Sequence, residues 1–397
     1  MTAVRFDDLD VKGKRVLVRE DLNVPLEGGR VTDMTRIDAA VPTLRSLSDR
    51  GAKVIVMSHL GRPEGKVVEN LRLAPVAEAL AQALGRPVRM APDSIGAAVR
   101  AAIAQMSDGD VLLLENLRFH PGEEANDPAF AKSLAELGDL YVNDAFGTAH
   151  RAHASTVGIT RDLPSYAGPL LTSELEILDR VLLHPERPFI AVLGGAKVSD
   201  KIGVIDRLLM ICDAIVIGGG MANTLLAAQG FDVGKSLRDS DLAPAKTIVH
   251  EIEHEAAKVD VHLPSDAVVA KELSPDAETR DADIDQIAPD EMILDIGPGT
   301  AMDFRGVILE AKTVLWNGPM GVFEMDAFGA GTEAVGQAIV DSGAVCVVGG
   351  GDSAAAAHKF GFADKMTHIS TGGGATLEYI EGKELPGVAA LRSTAGA

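Results

Sequence analysis

Phe189-Ile190-Ala191-Val192-Leu193-Gly194-Gly195-Ala196-Lys197 decides the fold class. Five apolar residues in a row, without the alternation of a half-buried strand, are apolar on both faces, and such a strand needs helices covering both sides of its sheet. Two glycines end the run, and a longer stretch of helical period follows. The same order of apolar run, polar or glycine-rich turn and helix recurs along the 397 residues. In the first part the runs are Arg15 to Val18, Lys53 to Met57, Val111 to Leu114 and Leu140 to Val142. In the second they continue with Ala214 to Ile217, Val259 to Leu263, Met292 to Ile296, Thr313 to Trp316, Ala344 to Val348 and Met366 to Ile369. That alternation implies an α/β chain with a mostly parallel sheet in each part.

At roughly 150 residues per domain the length suggests two large lobes. Between residues 160 and 190 the rhythm is broken by Pro164, Gly168-Pro169, Pro185 and Pro188, around one helix that the Ser173 to Glu176 capping box would start. Leu175, Leu178, Val181 and Leu182 recur on one face of it, so it reads as the hinge helix between the lobes. Elsewhere Asp127-Pro128 supplies an N-cap acceptor followed by proline at the first helical position, and Gly138 is expected to close that helix.

The formal charge of −21 and pI near 4.8 argue against duplex nucleic acid or an anionic membrane as the main partner, since neutralising phosphates takes a basic face. Cys212 and Cys346 each sit in an apolar run and read as buried thiols. Met1 to Asp10 lacks a signal peptide's apolar core, and no stretch approaches the ~18 apolar residues of a spanning helix, so a cytoplasmic location is expected.

In parallel sheets the segments after the carboxyl ends of the strands converge on one edge, where ligands bind. Those segments are unusually cationic in the first part. They are Arg19-Glu20-Asp21-Leu22-Asn23-Val24-Pro25, with Arg36 in the first turn of a helix opening near Asp33 and Thr35; Ser58-His59-Leu60-Gly61-Arg62-Pro63; Glu115-Asn116-Leu117-Arg118-Phe119-His120; and Asn143-Asp144 through His150-Arg151-Ala152-His153. Arg36, His59, Arg62, Arg118 and Arg151 would meet there, and an arginine fork suits phosphate and carboxylate. Asp21 and Asn23 suit a hydroxyl. His120, His150 and His153 lack the carboxylates or thiolates that would complete a metal site and are assigned to loop hydrogen bonding.

The second part places glycine turns after its strands instead: Gly194-Gly195, Gly218-Gly219-Gly220, Gly297-Pro298-Gly299, Asn317-Gly318-Pro319, Gly349-Gly350-Gly351-Asp352-Ser353 and Gly372-Gly373-Gly374. Glycine lets backbone amides approach an anion, and a helix N-terminus adds partial positive charge, so the repetition reads as a phosphate cradle for a nucleotide. Lys197 and Lys201, four apart, are expected on one face at the start of a helix. Asp352 is placed to hold a magnesium ion carried by the phosphates, and Glu324 to accept from ribose hydroxyls. Two motifs are set aside: Gly230 to Ser236 has three rather than four residues between its P-loop glycines, and Gly349 to Ala354 lacks the acidic residue of a dinucleotide site.

Arg19-x-Asp21-x-Asn23-Val24-Pro25, Ser58-His59-Leu60-Gly61-Arg62-Pro63, Glu115-Asn116-Leu117-Arg118-Phe119, Ala149-His150-Arg151-Ala152-His153, Gly194-Gly195-Ala196-Lys197-Val198-Ser199-Asp200-Lys201, Trp316-Asn317-Gly318-Pro319 and the last two glycine triplets together resemble the phosphoglycerate kinase family, in order over nearly the whole chain. Glu20 and Leu22 stand where that family more often has Val and Phe. The resemblance implies two Rossmann-like three-layer αβα lobes: residues 1–170 with the tail 386–397 binding 3-phosphoglycerate, and 171–385 binding nucleotide. It implies that Asp21, Asn23, Arg36, His59, Arg62, Arg118 and Arg151 hold the glycerate, and that Gly195, Lys197, Lys201, Gly219, Leu294, Asn317, Glu324 and Gly350 to Ser353 hold ATP or ADP with Mg²⁺. Arg36, Lys197, Lys201 and Gly373 are its implied catalytic residues, and a monomer acting on small molecules alone is expected.

Phosphoryl transfer to a carboxylate, already ionised at neutral pH with a pKa near ~4, needs no general base. Catalysis would rest on positioning and charge stabilisation once the lobes close. The competing readings are an NAD-dependent dehydrogenase and a non-catalytic two-lobed anion receptor; the second shares the arginines but has no use for Lys197, Lys201 and Asp352.

Overall fold

Alternating strands and helices form two units in the computed structural model, which describes residues 6–254 and 259–394. One unit contains the chain up to Leu175 together with the residues from Glu384 onward, and the other runs from Glu176 to Lys383.

In the first unit the strands are β1 (Arg15–Arg19), β2 (Leu26–Glu27), β3 (Arg30–Val31), β4 (Lys53–Met57), β5 (Val88–Met90), β6 (Val111–Leu113), β7 (Leu140–Asn143) and β8 (Ser165–Ala167). Six of them form one wholly parallel sheet in the order β5-β6-β4-β1-β7-β8, and β2 and β3 form a separate antiparallel ribbon. On one face Val16, Val18, Val54, Val56 and Val142 meet Ile37, Ala40, Leu44 and Leu47 of the helix Thr35–Asp49. The helix Ala74–Leu84 adds Val76, Leu80 and Leu84 at the same 3-to-4-residue spacing. The helix Pro386–Thr394 packs on β8, and its Gly387 N–H donates to the Ala149 carbonyl in the loop after β7 at 2.8 Å.

The second unit contains β9 (Phe189–Leu193), β10 (Ala214–Ile217), β11 (Asp260–His262), β12 (Asp266–Ala270), β13 (Thr279–Asp283), β14 (Met292–Ile296), β15 (Thr313–Asn317), β16 (Val345–Val348) and β17 (His368–Ile369). Its main sheet is parallel in the order β11-β10-β9-β15-β16-β17. All five residues of β9 are buried at its centre.

Three expectations need correction. Met292 to Ile296 is a strand but does not belong to the parallel sheet: β14 pairs antiparallel with β12 in a three-stranded sheet of order β13-β12-β14. Its residues pack to both sides, Leu294 with Ala270 and Phe328, Ile296 with the main core, so a mostly apolar run reported burial and not strand direction. The connecting helix is Pro169–Leu183 and starts four residues before Ser173. A distant residue caps it: the buried Asp144 carboxylate, just after β7, accepts from Leu171 N at 3.1 Å, while Ser173 Oγ donates back to Leu170 O at 3.2 Å inside the helix. The helix that Asp127 caps through Phe130 N at 2.8 Å runs Pro128–Ala135, and Glu136, not Gly138, is its C-cap. Both cysteines are buried free thiols, and no helix among the described residues is long and apolar enough to cross a membrane.

Candidate functional site

The loops leaving β1, β4 and β6 are tied together by hydrogen bonds among residues of the cationic motifs. Arg36 Nη1 donates to Asp21 Oδ1 at 3.2 Å and to Asn23 O at 2.8 Å. Asn23 Oδ1 accepts from Gly61 N at 2.9 Å, and the Gly61 carbonyl accepts from Arg118 Nη1 at 2.8 Å. Gly61 has φ +62° and a Cβ there would lie 2.8 Å from Leu71 Cδ2, so only glycine allows this crossing. Arg118 is buried, with Nε 3.2 Å from Glu124 Oε1. Arg62 and Arg151 are exposed, and neither guanidinium has a hydrogen bond or ion pair among the described residues.

Charge accumulates around His59. Burial, then the charges of Arg19, Arg118, Arg36 and His153, hold its pKa well below the usual imidazole value. Burial, then Arg118, Arg19 and Arg151, push His153 down to about 4. The ring of His120 is hydrogen-bonded to Asp93 Oδ1 at 2.6 Å, and His153 Nδ1 lies 3.8 Å from Glu123 Oε1. A network beneath the site escaped the sequence reading. Fully buried Arg19 donates from Nε to Ser155 Oγ at 2.9 Å, and Ser155 donates from Oγ to Glu123 Oε1 at 2.5 Å and from N to Oε2 at 3.0 Å. Arg19 closes an apolar strand, which is the one local signal for it; Ser155 lies 136 positions away.

In the second unit the glycine turns interlock backbone to backbone. Gly194 N donates to Asn317 O at 3.0 Å, Gly195 N to Pro319 O at 3.2 Å, Gly219 N to Met320 O at 2.9 Å and Met221 N to Gly195 O at 3.0 Å. A Cβ on Gly194 would sit 2.0 Å from Pro319 O, a distance no side chain tolerates. Asn317 is buried, its Nδ2 donating to Gly349 O at 2.7 Å while its Oδ1 has no hydrogen-bond partner among the described residues. Ser353 Oγ accepts from Gly318 N at 2.6 Å and donates to Gly349 O at 3.0 Å, so its hydroxyl braces the two turns. Gly351 and Asp352 are exposed in the first turn of the helix Gly351–Lys359, with Gly350 as its N-cap at φ +94°. Gly373, φ +52°, is the N-cap of the helix Gly374–Ile380.

Lys197 and Lys201 do not share a helical face. The helix begins only at Ile202 with Lys201 as its N-cap, so Lys197 sits in the preceding turn, exposed and unpaired among the described residues. Lys201 turns inward, donating from Nζ to Gly194 O at 2.8 Å and Asn317 O at 3.2 Å. Burial lowers its pKa to about 8, opposed by Asp352 and Asp200.

Glu324 is exposed on a segment joined to Leu294 of β14 by the Val322 N–H, which donates to Leu294 O at 2.9 Å. Two further residues missed in the sequence brace that segment. Asp295 accepts from Gly331 N at 2.7 Å, and Lys359 Nζ donates to Phe323 O at 2.8 Å, Glu324 O at 3.3 Å and Asp326 Oδ1 at 2.7 Å.

One parallel-sheet unit that gathers arginines at its strand ends, and another that stacks glycine turns and a lysine at the ends of its own, define an α/β phosphotransferase. A family model for phosphoglycerate kinase matches residues 6–383. The phosphoglycerate kinase of Pelotomaculum thermopropionicum is 57% identical over 385 residues, 97% of this chain and 98% of its own. That of Moorella thermoacetica is 56% identical over 393 residues, 98% and 99% of the two chains. The solved structure of phosphoglycerate kinase from Coxiella burnetii matches 99% of both chains with a TM-score of 0.88 at 42% identity. For the enzyme from Pyrococcus horikoshii OT3 the TM-score is 0.85 at 35% identity over 98% of both. The chain belongs to the phosphoglycerate kinase family. It is a kinase that moves a phosphoryl group reversibly between 1,3-bisphosphoglycerate and ADP, giving 3-phosphoglycerate and ATP.

Proposed function

We propose that the unit up to Leu175 is the 3-phosphoglycerate receptor and that Glu176–Lys383 holds the nucleotide. The observation that carries this division is the pair of separately built networks, one joining Asp21, Asn23, Arg36, Gly61 and Arg118, the other locking Lys201 onto the Gly194 and Asn317 turns. In the first, Arg36 and Arg118 are oriented by their own acceptors, Arg62 and Arg151 remain for phosphate or carboxylate oxygens, and His59, Asp21 and Asn23 read the acid's hydroxyl end. In the second, Gly195, Gly219, Asn317 and the first-turn amides of Gly350, Gly351, Asp352 and Ser353 line the phosphates, while Leu294 and Glu324 face the nucleoside. Asp352, an exposed carboxylate at that turn, fits a Mg²⁺ carried mainly by phosphate oxygens; the ion would neutralise charge between β- and γ-phosphates. Arg36, Lys197, Lys201 and the Gly373 helix terminus then stabilise charge on the transferring group, and the carboxylate nucleophile needs no base.

Steady-state kinetics test the division. Arg118→Ala is expected to raise KM for 3-phosphoglycerate by about tenfold or more and leave KM for ATP within about twofold; Asp352→Ala is expected to do the reverse. Equal effects on both substrates from either variant would refute it. Transfer requires the two bound ligands to meet, so small-angle scattering curves unchanged by adding both would count against it too. The enzyme is further read as a cytoplasmic monomer without nucleic-acid or membrane partners, which light scattering on the purified chain checks for mass.

A further inference from the structure

The buried Arg19 points at a ring it can only donate to. A guanidinium carries five N–H donors, no acceptor, and does not lose its proton in proteins. Arg19 spends Nε on Ser155 Oγ at 2.9 Å and Nη1 on the Glu20 carbonyl, and its Nη2 lies 3.2 Å from His59 Nδ1. For that last contact to be a hydrogen bond, Nδ1 must offer its lone pair, so the ring's proton is on Nε2. The arginine cannot easily turn away, because Ser155 is held by both oxygens of the fully buried Glu123.

The groups around the ring come from every loop of the site and are cations or histidine: Arg19 from β1, Arg36 from the helix Thr35–Asp49, Arg118 after β6 and His153 after β7. The carboxylates of Asp21, Glu124 and Glu123 pair with Arg36, Arg118 and His153, and among the described residues none of them is hydrogen-bonded to the ring.

We propose that Arg19 is a positioning residue that holds His59 as the neutral tautomer protonated on Nε2, so that His59 gives the site a hydrogen-bond donor and no charge. The site's positive charge then comes from arginines alone and does not change through neutral pH, while His59 selects for an uncharged or anionic acceptor atom on the ligand. The tautomer stands on the geometry of this chain; the ligand consequence rests on the reading that the glycerate binds here.

The test uses the full chain labelled with ¹⁵N-histidine. Two-bond ¹H–¹⁵N correlation spectra distinguish the two neutral tautomers from imidazolium, and the His59 signals are those missing in His59→Gln. Protonation on Nε2 from pH 5.5 to 8, with no titration, is the expected result. A ring protonated on Nδ1, or an imidazolium forming with a midpoint above about 6, overturns the proposal; this arm needs no Arg19 variant to fold. Where Arg19→Met does fold, its His59 should titrate closer to the usual value near 6.5, and unchanged spectra would also overturn it. Kinetics separate the ligand consequence. Gln can keep an N–H near the Nε2 position and Asn cannot, so KM for 3-phosphoglycerate should rise about tenfold less in His59→Gln than in His59→Asn. Equal KM values alongside the expected spectra would remove the ligand reading and leave the tautomer.

Discussion

Lys201 donates its ammonium to the carbonyl oxygen of Gly194 at 2.8 Å, and through that contact a half-buried cation supports the first glycine turn. Burial lowers its pKa to about 8 from the usual 10.5, so the native enzyme begins to lose this charge well before the unfolded chain does. The sign follows: below pH 8 both states are protonated and the native state bears the whole burial cost, which is relieved between about 8 and 10.5 as the native lysine deprotonates. Nucleotide binding should move the opposite way, since phosphates need the ammonium. Expected is a kcat/KM for ATP that falls above pH 8, a limb that disappears in Lys201→Arg. A profile flat to pH 9.5 in the wild type would contradict this.

Glu20 is fully buried, and neither carboxylate oxygen has a hydrogen bond among the described residues. Burial first, then Asp144, raises its pKa well above 4.5. With the native pKa above the unfolded one, the native state binds the proton more tightly, so stability falls as pH rises from about 4.5 toward the native pKa. Glu20→Gln removes the titrating group. Its unfolding free energy relative to wild type should therefore improve as pH rises above 4.5, by at most ~1.4 kcal/mol per pH unit at the steepest. A constant offset between the two at every pH would show that Glu20 does not titrate as described.

Most strands were legible because each is an unbroken apolar run closed by a turn, and the site loops were legible because parallel strands all end on the same edge. What escaped was long-range. The Arg19–Ser155–Glu123 chain joins three distant segments, and no local pattern marks a serine as the link. The cap of the helix Pro169–Leu183 comes from Asp144 across the fold, which is why a nearby Ser-to-Glu spacing looked like its start. Lys197 and Lys201 kept helical spacing without the helix, because the turn after β9 runs on to Lys201 before the first helical residue. For β14 the hidden variable was pairing: Asp295 in its middle, buried and bonded to Gly331 N, is a polar interruption that a purely apolar reading passes over.

Lys359 and Asp295 should act on nucleotide binding without touching nucleotide. Lys359 holds the carbonyls of Phe323 and Glu324, and Asp295 holds Gly331, so together they fix both sides of the segment bearing Glu324. Burial raises the Asp295 pKa to about 7, so this brace changes charge near neutrality. Lys359→Met is expected to raise KM for ATP roughly three- to tenfold, the loss of one or two hydrogen bonds, with KM for 3-phosphoglycerate unchanged. An equal rise in both constants would make Lys359 a general stabiliser of the fold and not a support for Glu324.

Arg36 and Lys197 should both be needed for turnover but should differ in what else they support. Arg36 is bonded to Asp21 and Asn23, so Arg36→Ala removes a charge, leaves Asp21 Oδ1 with the Asn23 N–H as its remaining donor and loosens the loop after β1. Lys197 is exposed and carries no hydrogen bond or ion pair among the described residues, so nothing in the unliganded chain depends on it. Both variants are expected to lower kcat by at least ~10²-fold, the usual loss when one charge-stabilising donor is removed. Only Arg36→Ala should also raise KM for 3-phosphoglycerate, and Arg36→Lys should recover little because the ammonium cannot reproduce the fork. Lys197→Ala should keep the wild-type Tm to within about 1 °C, since exposed unpaired side chains contribute little to stability. A Lys197→Ala enzyme with near-normal kcat would remove the lysine from the transfer step, because its exposed, unpaired position leaves it no other task in the free enzyme.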